Sequence, residues 1–412
     1  MKNNFLKEMQ NRGYLHQCTD LDKITEICNK KSISAYIGFD CTARSLHVGS
    51  LLQIMILKLM QKYGHRPIIL LGGGTTLIGD PSGKDSTRKI LKQTDIDNNI
   101  KSIKKVFNKI LNTSNKNIAP VFVNNANWLN KLNYIQFLRD IGSNFTINKM
   151  LTFDSVKLRL DREQSLSYME FNYMILQAYD FYQLFKNNKC VLQIGGSDQW
   201  GNIINGIDLI RRKLQKEAYG LTSPLITSAS GSKMGKTEKG AIWLNEDQLP
   251  AYDYWQFWRN TDDRDVKKFL YFFTEIEPNE IEKIFDKEKN INNLKILLAN
   301  EATKILHGET ASNKAALTAK DTFVGGGLGS DLPEIKIKSN EVKEGINILD
   351  FISKNKILSS KSEARRAIIN KGIKIDGKVI ENEKKMIQLD DFRKNILKLS
   401  FGKKKHFIIK II

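Results

Sequence analysis

Ile68-Ile69-Leu70-Leu71, running straight into Gly72-Gly73-Gly74, constrains this chain more than any other stretch. A continuous apolar run of that length suits a parallel strand covered on both faces, not one with a wet side. Upstream, Leu51, Leu52, Ile54, Met55, Leu59 and Met60 recur at helical spacing as far as Tyr63, and Ala35-Tyr36-Ile37-Gly38-Phe39 reads as another short buried strand. Strand, helix, strand is a βαβ unit, and its crossover is expected to be right-handed. A second strand–helix pair follows in Cys190 to Ile194, ending in Gly195-Gly196, and an amphipathic stretch from Trp200 to Leu214. Residues 100–185 look mostly helical, over Ile100 to Leu111, Ile135 to Ile141 and Asn172 to Phe185. The pattern predicts an α/β fold, with ligands at the carboxyl ends of its strands.

The chain's 412 residues suffice for two or three domains. From about Gln248 to Lys320 the pattern is helical with no strand evident, and Gly325-Gly326-Gly327, with Gly329 and Pro333, is the linker candidate. The fold expected is a Rossmann-like, doubly wound parallel sheet with a helical insertion, then an α-helical domain and a small α+β domain. Formal net charge is +20, and residues 341–412 hold 18 Lys or Arg against 9 Asp or Glu. Nearly half the excess therefore sits near the C-terminal end, which implies a polyanionic partner there. Abundant Lys and Asn throughout offer a blander account. The cysteines at 18, 28, 41 and 190 show no CxxC spacing and no accompanying His cluster, so reduced thiols are expected, with no metal site and no disulfide framework. No run approaches the ~18 uncharged apolar residues that a membrane span needs. Met1 to Asp20 lacks an apolar core and carries Glu8 and Asp20, which argues against a transit peptide. A cytoplasmic protein is expected.

Two short strings point to triphosphate chemistry. His47-Val48-Gly49-Ser50 follows the first strand at a helix start, where unpaired N–H groups and the helix dipole favour phosphate. Gly49 would let a base or ribose come close to the backbone. Lys233-Met234-Gly235-Lys236-Thr237 lies among Ser228, Ser230, Gly231 and Ser232 without apolar periodicity, so it reads as an exposed loop whose lysines can close on a pyrophosphate. Either string alone is as well explained by chance or by a solvated basic loop. The Gly72 to Lys84 stretch fails as a dinucleotide fingerprint, because Leu77 stands where glycine is needed. It fails as a P-loop because Ile78 and Asp85 break the spacing. It reads as a strand-end turn that is also part of the site.

In order along the chain stand Tyr36-Ile37-Gly38-Phe39-Asp40, the His47 string, Leu77-Ile78-Gly79-Asp80-Pro81-Ser82-Gly83, Tyr173 through Phe181, Gln193 through Asn202, and the Lys233 string. With these six motifs the chain resembles the bacterial-type tyrosyl-tRNA synthetases, class I aminoacyl-tRNA synthetases, over roughly residues 5–412. The resemblance implies activation of tyrosine by ATP and its transfer to tRNA(Tyr). It places Tyr36 and Asp180 on the substrate's phenol hydroxyl, and Asp80, Tyr173 and Gln177 on its ammonium with Gln193 and Gln199 nearby. It sets Gly38, Asp40, Gly195 and Asp198 along the adenylate, with Gly49 and Ser50 at the nucleotide. Thr42, His47, Lys233 and Lys236 would face the phosphates, and Tyr179 and Phe181 would be helix core. It further implies Mg2+ with the nucleotide and a homodimer meeting through the insertion. This sequence departs from the family pattern at Ser50, where many relatives have histidine, and at Cys41, where proline is frequent and whose loss predicts a less rigid turn. Gly235 replaces the serine of the general class pattern.

The C-terminal residues add a separate line. Ser360-Lys361-Ser362-Glu363-Ala364-Arg365-Arg366 predicts a short helix capped by Ser362, with both arginines on its first turn, leading to Lys371-Gly372-Ile373-Lys374. This resembles the RNA-binding module of the fourth small-subunit ribosomal protein and makes Lys361, Arg365, Arg366, Lys371 and Lys374 the candidate RNA contacts. The domains are then 1–228 (catalytic), 229–325 (signature loop and helical), 326–340 (linker) and 341–412 (RNA-binding). Three rivals stay in view: a tryptophanyl relative, a catalytically dead RNA-binding descendant, and a small adenylyltransferase.

Overall fold

The structure is a computed structural model that describes residues 4–81, 91–229, 231, 234–237, 240–323, 334–355, 357–358, 360–393, 395–402 and 405–412. The described chain divides into two compact units, Met1–Glu309 and Thr310–Ile412.

The first unit is built on a six-stranded sheet of β1 (Gln17–Cys18), β2 (Ser34–Phe39), β3 (Arg66–Leu71), β4 (Val121–Asn124), β5 (Cys190–Gly196) and β6 (Tyr219–Ser223), in spatial order β1-β6-β5-β2-β3-β4. All neighbours are parallel except β1, which closes the β6 edge in antiparallel sense. The chain winds one way from β2 to β4 and the other way through β5 and β6. The order therefore reverses between β2 and β5, where ligands bind in such sheets. The two buried strands and the helix Leu51–Lys62 between them match the βαβ reading. Helices stand at the three stretches read in residues 100–185, and β4 is a strand among them that the reading did not include. It is four residues long, pressed between Pro120 and Asn125, and too short to show a period.

Helical caps explain where the site residues fall. Ser167 and Glu170 form a reciprocal capping box, Glu170 N donating to Ser167 Oγ and Ser167 N to Glu170 Oε2, and this starts the helix Tyr168–Asn188. Spacings of four and three then set Tyr173, Gln177 and Asp180 on one face of it.

Helices from Ala251–Arg259 to Ile291–His307 complete this unit without a strand. The helix Phe5–Asn11 is bolted to them by Arg12, which is 4% exposed. Its guanidinium donates to Glu8 Oε1 (2.7 Å) and to the carbonyls of Tyr271 (3.1 Å), Thr274 (3.0 Å) and Ile276 (2.9 Å), around the C-terminal end of the helix Val266–Phe273. A cation there meets both the unpaired carbonyls and the negative end of the helix dipole.

The second unit holds a five-stranded sheet of Lys378–Val379, Ile373–Ile375, Ile396–Phe401, Lys405–Ile411 and Glu334–Ile337, in that order. Glu334–Ile337 pairs in parallel with Lys405–Ile411 although it falls inside the stretch read as linker, whose glycines lie outside the described residues. The helices Ile348–Lys354 and Lys361–Ile369 contribute Phe351, Ile352, Ala364 and Ile368 to a core shared with Ile373, Leu397 and Ile409. Ser360, not Ser362, caps the second of these helices, accepting from Glu363 N at 3.2 Å. Its start two residues earlier puts Arg365 and Arg366 on the second turn.

Candidate active site

A cavity of about 200 Å³ opens where β2 and β5 diverge, and Tyr36, Gly38, Asp40, Asp80, Tyr173, Gln177, Asp180, Gln193, Gly195 and Gln199 all line it. Tyr36 and Gln193 are direct cross-strand partners in the parallel β2–β5 register. The Tyr36 hydroxyl and Gln193 Oε1 are both buried without a hydrogen-bond partner among the described residues. A buried orphan polar atom is costly unless a ligand completes it.

Asp180, 1% exposed, has both oxygens engaged: Asn125 Nδ2 donates to Oδ2 at 2.9 Å and Trp128 Nε1 to Oδ1 at 2.7 Å. Burial still outweighs these donors and pushes its carboxyl up to about 7. Burial, reinforced by the neighbouring Asp180 charge, raises the Tyr36 phenol well above its ordinary value. The pair is therefore a hydroxyl donor beside a carboxylate acceptor, which is what a bound phenol needs.

A second chain of hydrogen bonds runs along the opposite wall. Asn202 Nδ2 donates to Gln177 Oε1 (3.0 Å) and Gln199 Oε1 (3.1 Å), and Gln199 Nε2 donates to Asp80 Oδ2 (3.0 Å). Asp40 accepts from the Tyr173 hydroxyl (3.3 Å) and from Thr75 Oγ1 (3.1 Å), which itself accepts from Asn125 (2.9 Å). Asn125 thus links the two carboxylates. Asn125 and Trp128 were not singled out from the sequence, and Thr75 and Asn202 stood within site motifs without a role of their own. Reading β4 as a strand would have flagged Asn125, since it follows that strand's carboxyl end.

His47 caps the 3-10 turn Val48–Ser50 that leads into the helix Leu51–Lys62, its Nδ1 accepting from Gly49 N at 3.0 Å. An accepting Nδ1 carries no proton, so the ring proton sits on Nε2, a donor suited to phosphate oxygen. The signature segment packs directly on this turn. Gly235, at φ +94°, lies so close that a Cβ there would stand 2.6 Å from His47 Nδ1 and 2.8 Å from Gly49 N. Serine would fit neither that backbone nor that space. Residues 236–237 and 240–241 form a hairpin, β7 and β8.

Thr42 is exposed on the loop before His47, Asp198 is exposed on the turn Ser197–Gln199, and Ser50 is half-buried. None of the three lines the cavity. Lys233 lies outside the described residues. The Cys41 turn is pinned on both sides, its N–H donating to Thr76 Oγ1 and its carbonyl accepting from Asn99 Nδ2, each at 2.8 Å. The N–H that proline would lack supplies one of those ties, so the turn is held without proline. Lys361, Arg365, Arg366, Lys371 and Lys374 are all exposed in the second unit, with Arg365 paired to Glu383 at 2.7 Å and Lys371 to Glu381 at 3.0 Å.

The helix start capped by His47 and the polar pocket at the carboxyl ends of β2 and β5 accord with the family comparisons. Residues 28–324 match the family model of tRNA synthetases class I (W and Y). The chain belongs to this class I family. Residues 326–409 match the tyrosine–tRNA ligase SYY-like C-terminal domain. The tyrosine–tRNA ligase of Pelagibacter ubique is 60% identical over 100% of both chains, and that of Rickettsia felis is 49% identical over 99% of this chain and 100% of its own. Within the family, the branch is that of the tyrosine–tRNA ligases. The C-terminally truncated mitochondrial tyrosyl-tRNA synthetase of Aspergillus nidulans superposes with a TM-score of 0.69 at 28% identity, covering 77% of this chain and 94% of that one. The Archaeoglobus fulgidus tyrosyl-tRNA synthetase, at 14% identity and a TM-score of 0.56, shares the fold over 76% of this chain and 99% of its own.

Proposed function

We propose that the cavity between β2, β5 and the helix Tyr168–Asn188 activates tyrosine with ATP and passes it to the 3′ end of tRNA(Tyr). The observation that carries this reading is the buried pair of Tyr36, with its unpartnered hydroxyl, and Asp180, with both oxygens held by donors. Tyrosine's phenol donates to Asp180 and accepts from Tyr36. Its ammonium takes the wall of Asp80, Tyr173, Gln177 and Gln199, with Gln193 beside it. Gly38, Asp40, Gly49, Ser50, Gly195 and Asp198 serve the nucleotide.

Tyrosine's carboxylate is ionised at neutral pH and needs no general base. One of its oxygens attacks the α-phosphorus of ATP in line, forming the acyl phosphate bond as the bond to pyrophosphate breaks. The protein's task is to position both substrates and to stabilise charge. His47 donates from Nε2 to the phosphates, and Thr42, Lys233 and Lys236 assist the departing pyrophosphate. A ribose hydroxyl of the tRNA end then attacks the tyrosyl carbonyl and AMP leaves. Among the described residues no cluster of three His, Cys, Asp or Glu could hold a metal ion. The Mg2+ expected with ATP would be carried by the nucleotide's phosphates.

The rest of the assembly belongs to the same proposal. Residues 341–412, joined by the strand Glu334–Ile337, contact tRNA through Lys361, Arg365, Arg366, Lys371 and Lys374. The division at 1–228 and 229–325 is retained for the preceding chain, while the stretch 326–340 gives residues 334–337 to the sheet of the second unit. Exposed apolar side chains gather on the insertion, among them Ile135 (72%) and Tyr168 (65%), which supports a homodimer meeting there. No described helix is long and apolar enough to cross a membrane, and cytoplasmic residence is proposed with it.

The test is exchange of labelled pyrophosphate into ATP with each of the twenty amino acids and no tRNA. Exchange with tyrosine alone supports the reading. Exchange with tryptophan would overturn the Tyr36–Asp180 assignment. No exchange from folded protein that still binds tRNA would favour a role in RNA binding alone.

A further inference from the structure

Behind the signature hairpin, one buried asparagine ties three distant stretches of the first unit together. The strand β8 runs on into residues 242–245, which lie along residues 46–48. Val48 N donates to the Ile242 carbonyl and Leu244 N to the Leu46 carbonyl, both at 2.9 Å, with His47 bridged to Trp243 between them. At the end of this strap stands Asn245, 6% exposed. Its backbone N–H donates to Ser45 Oγ at 2.9 Å, and its Oδ1 accepts from the same hydroxyl at 2.9 Å. Its Nδ2 donates to the Ser102 carbonyl (3.2 Å) and Ser102 Oγ (3.0 Å) on the helix Gln93–Ile110.

We infer that Asn245 is a positioning residue for the activation step, setting the hairpin that carries Lys236 relative to His47. The inference rests on the phosphate-facing roles proposed for those two residues. They belong to segments far apart in sequence and must converge on one triphosphate within a fraction of an ångström. Asn245 and Ser45, 200 residues apart, bond just before His47 on one side and just after the hairpin on the other. The helix Gln93–Ile110 gives that junction a rigid anchor. Asparagine suits the place because a carboxylate would turn an acceptor toward the Ser102 carbonyl, and alanine would keep only the backbone N–H to Ser45 Oγ and lose the side-chain bonds to Ser45 and Ser102. Asn245 lies outside the lining of the tyrosine cavity, so it acts on geometry at the phosphates and not on tyrosine binding.

The experiment compares wild type, Asn245→Ala, Ser45→Ala and the double variant. It follows single-turnover formation of tyrosyl adenylate, equilibrium tyrosine binding and thermal midpoint. Asn245→Ala should slow adenylate formation roughly 10- to 100-fold, while the tyrosine dissociation constant stays within about twofold. The double variant should be slower than Asn245→Ala by less than the factor that Ser45→Ala costs alone, because the two changes share the side-chain bond of one junction. Unchanged rates would overturn the inference, as would a slowing matched by weaker tyrosine binding, or additive effects in the double variant. If Asn245→Ala does not fold, Ser45→Ala and Ser102→Ala carry the same comparison, each removing one partner of the asparagine. A wild type without tyrosine-dependent adenylate formation would instead overturn the reading of the site itself, and this inference with it.

Discussion

Trp128 donates its indole N–H to Asp180 Oδ1 at 2.7 Å, so a side chain from the start of the insertion sets the carboxylate proposed to accept from the substrate phenol. Replacing Trp128 with phenylalanine keeps most of the bulk and removes this one donor. The loss of a hydrogen bond to a buried carboxylate costs about 2 kcal/mol. Trp128→Phe should therefore lower kcat/KM for tyrosine roughly thirtyfold in pyrophosphate exchange, with KM for ATP little changed. An equal rise in both KM values would disconnect Trp128 from the phenol site.

The Asp180 carboxyl, pushed up to about 7 by burial, gives tyrosine binding a pH signature. The anion accepts the phenol's proton in a hydrogen bond, so binding favours deprotonated Asp180. Tyrosine affinity should fall about tenfold per pH unit below 7 and level off above it. Equilibrium binding between about pH 5.5 and 8.5 measures this, and Asp180→Asn should be weak and flat across the range.

Gly235 is the position where the signature segment tolerates no side chain. Its φ of +94° and the 2.6 Å gap to His47 Nδ1 mean that Gly235→Ala must push the segment away from the histidine. Adenylate formation should slow by about a hundredfold, while tyrosine binding and the thermal midpoint hold. Retention of full rate would show that the segment works from another place.

Two buried imidazoles contribute to the loss of stability in acid. Burial pushes both His65 and His307 down to about 4, from an ordinary value of 6.5. The unfolded chain binds protons first, so the stability of the neutral rings is complete above pH 6.5 and is lost as pH falls toward 4. Each contributes at most about 3 kcal/mol across that window. Thermal midpoints should drop through it, and a His65→Gln/His307→Gln variant, though less stable at neutrality, should show a shallower slope.

The insertion's exposed apolar face predicts an oligomer. Ile135→Asp should shift sedimentation toward the monomer and leave the unit folded by circular dichroism. A wild type already monomeric at micromolar concentration would remove the dimer from the proposal.

How legible all this was depends on the range of the forces involved. β2, β3, β5 and the helices after them declared themselves through local periodicity, because each buries a face against its immediate neighbours. β1, β4 and β6 did not. Two residues paired to a distant edge, four after a proline, and a Tyr-Gly-Leu-Thr-Ser run have no period to read. In the site, Tyr36, Asp180 and Gln193 came from the family resemblance, whereas Asn125 reaches Asp180 across 55 residues by tertiary pairing alone. Ser360 displaced Ser362 as a cap because the cap is chosen by where the helix axis must begin to bury Ala364 and Ile368.

The Arg12 fork has a consequence for how the chain is made. Its guanidinium is finished only by the carbonyls of Tyr271, Thr274 and Ile276, and the bond to Thr274 spans 262 residues. A ribosome working at ~5–20 residues per second needs on the order of tens of seconds to supply those partners. Through that interval the nascent sheet can wind, but the charge on its first helix has no burial site to enter. The Arg12 contacts to the helix Val266–Phe273 therefore form only after both ends of the first unit are present. Trapping Arg12 early, or replacing it with a neutral residue, would change the order in which this protein is assembled as well as its stability.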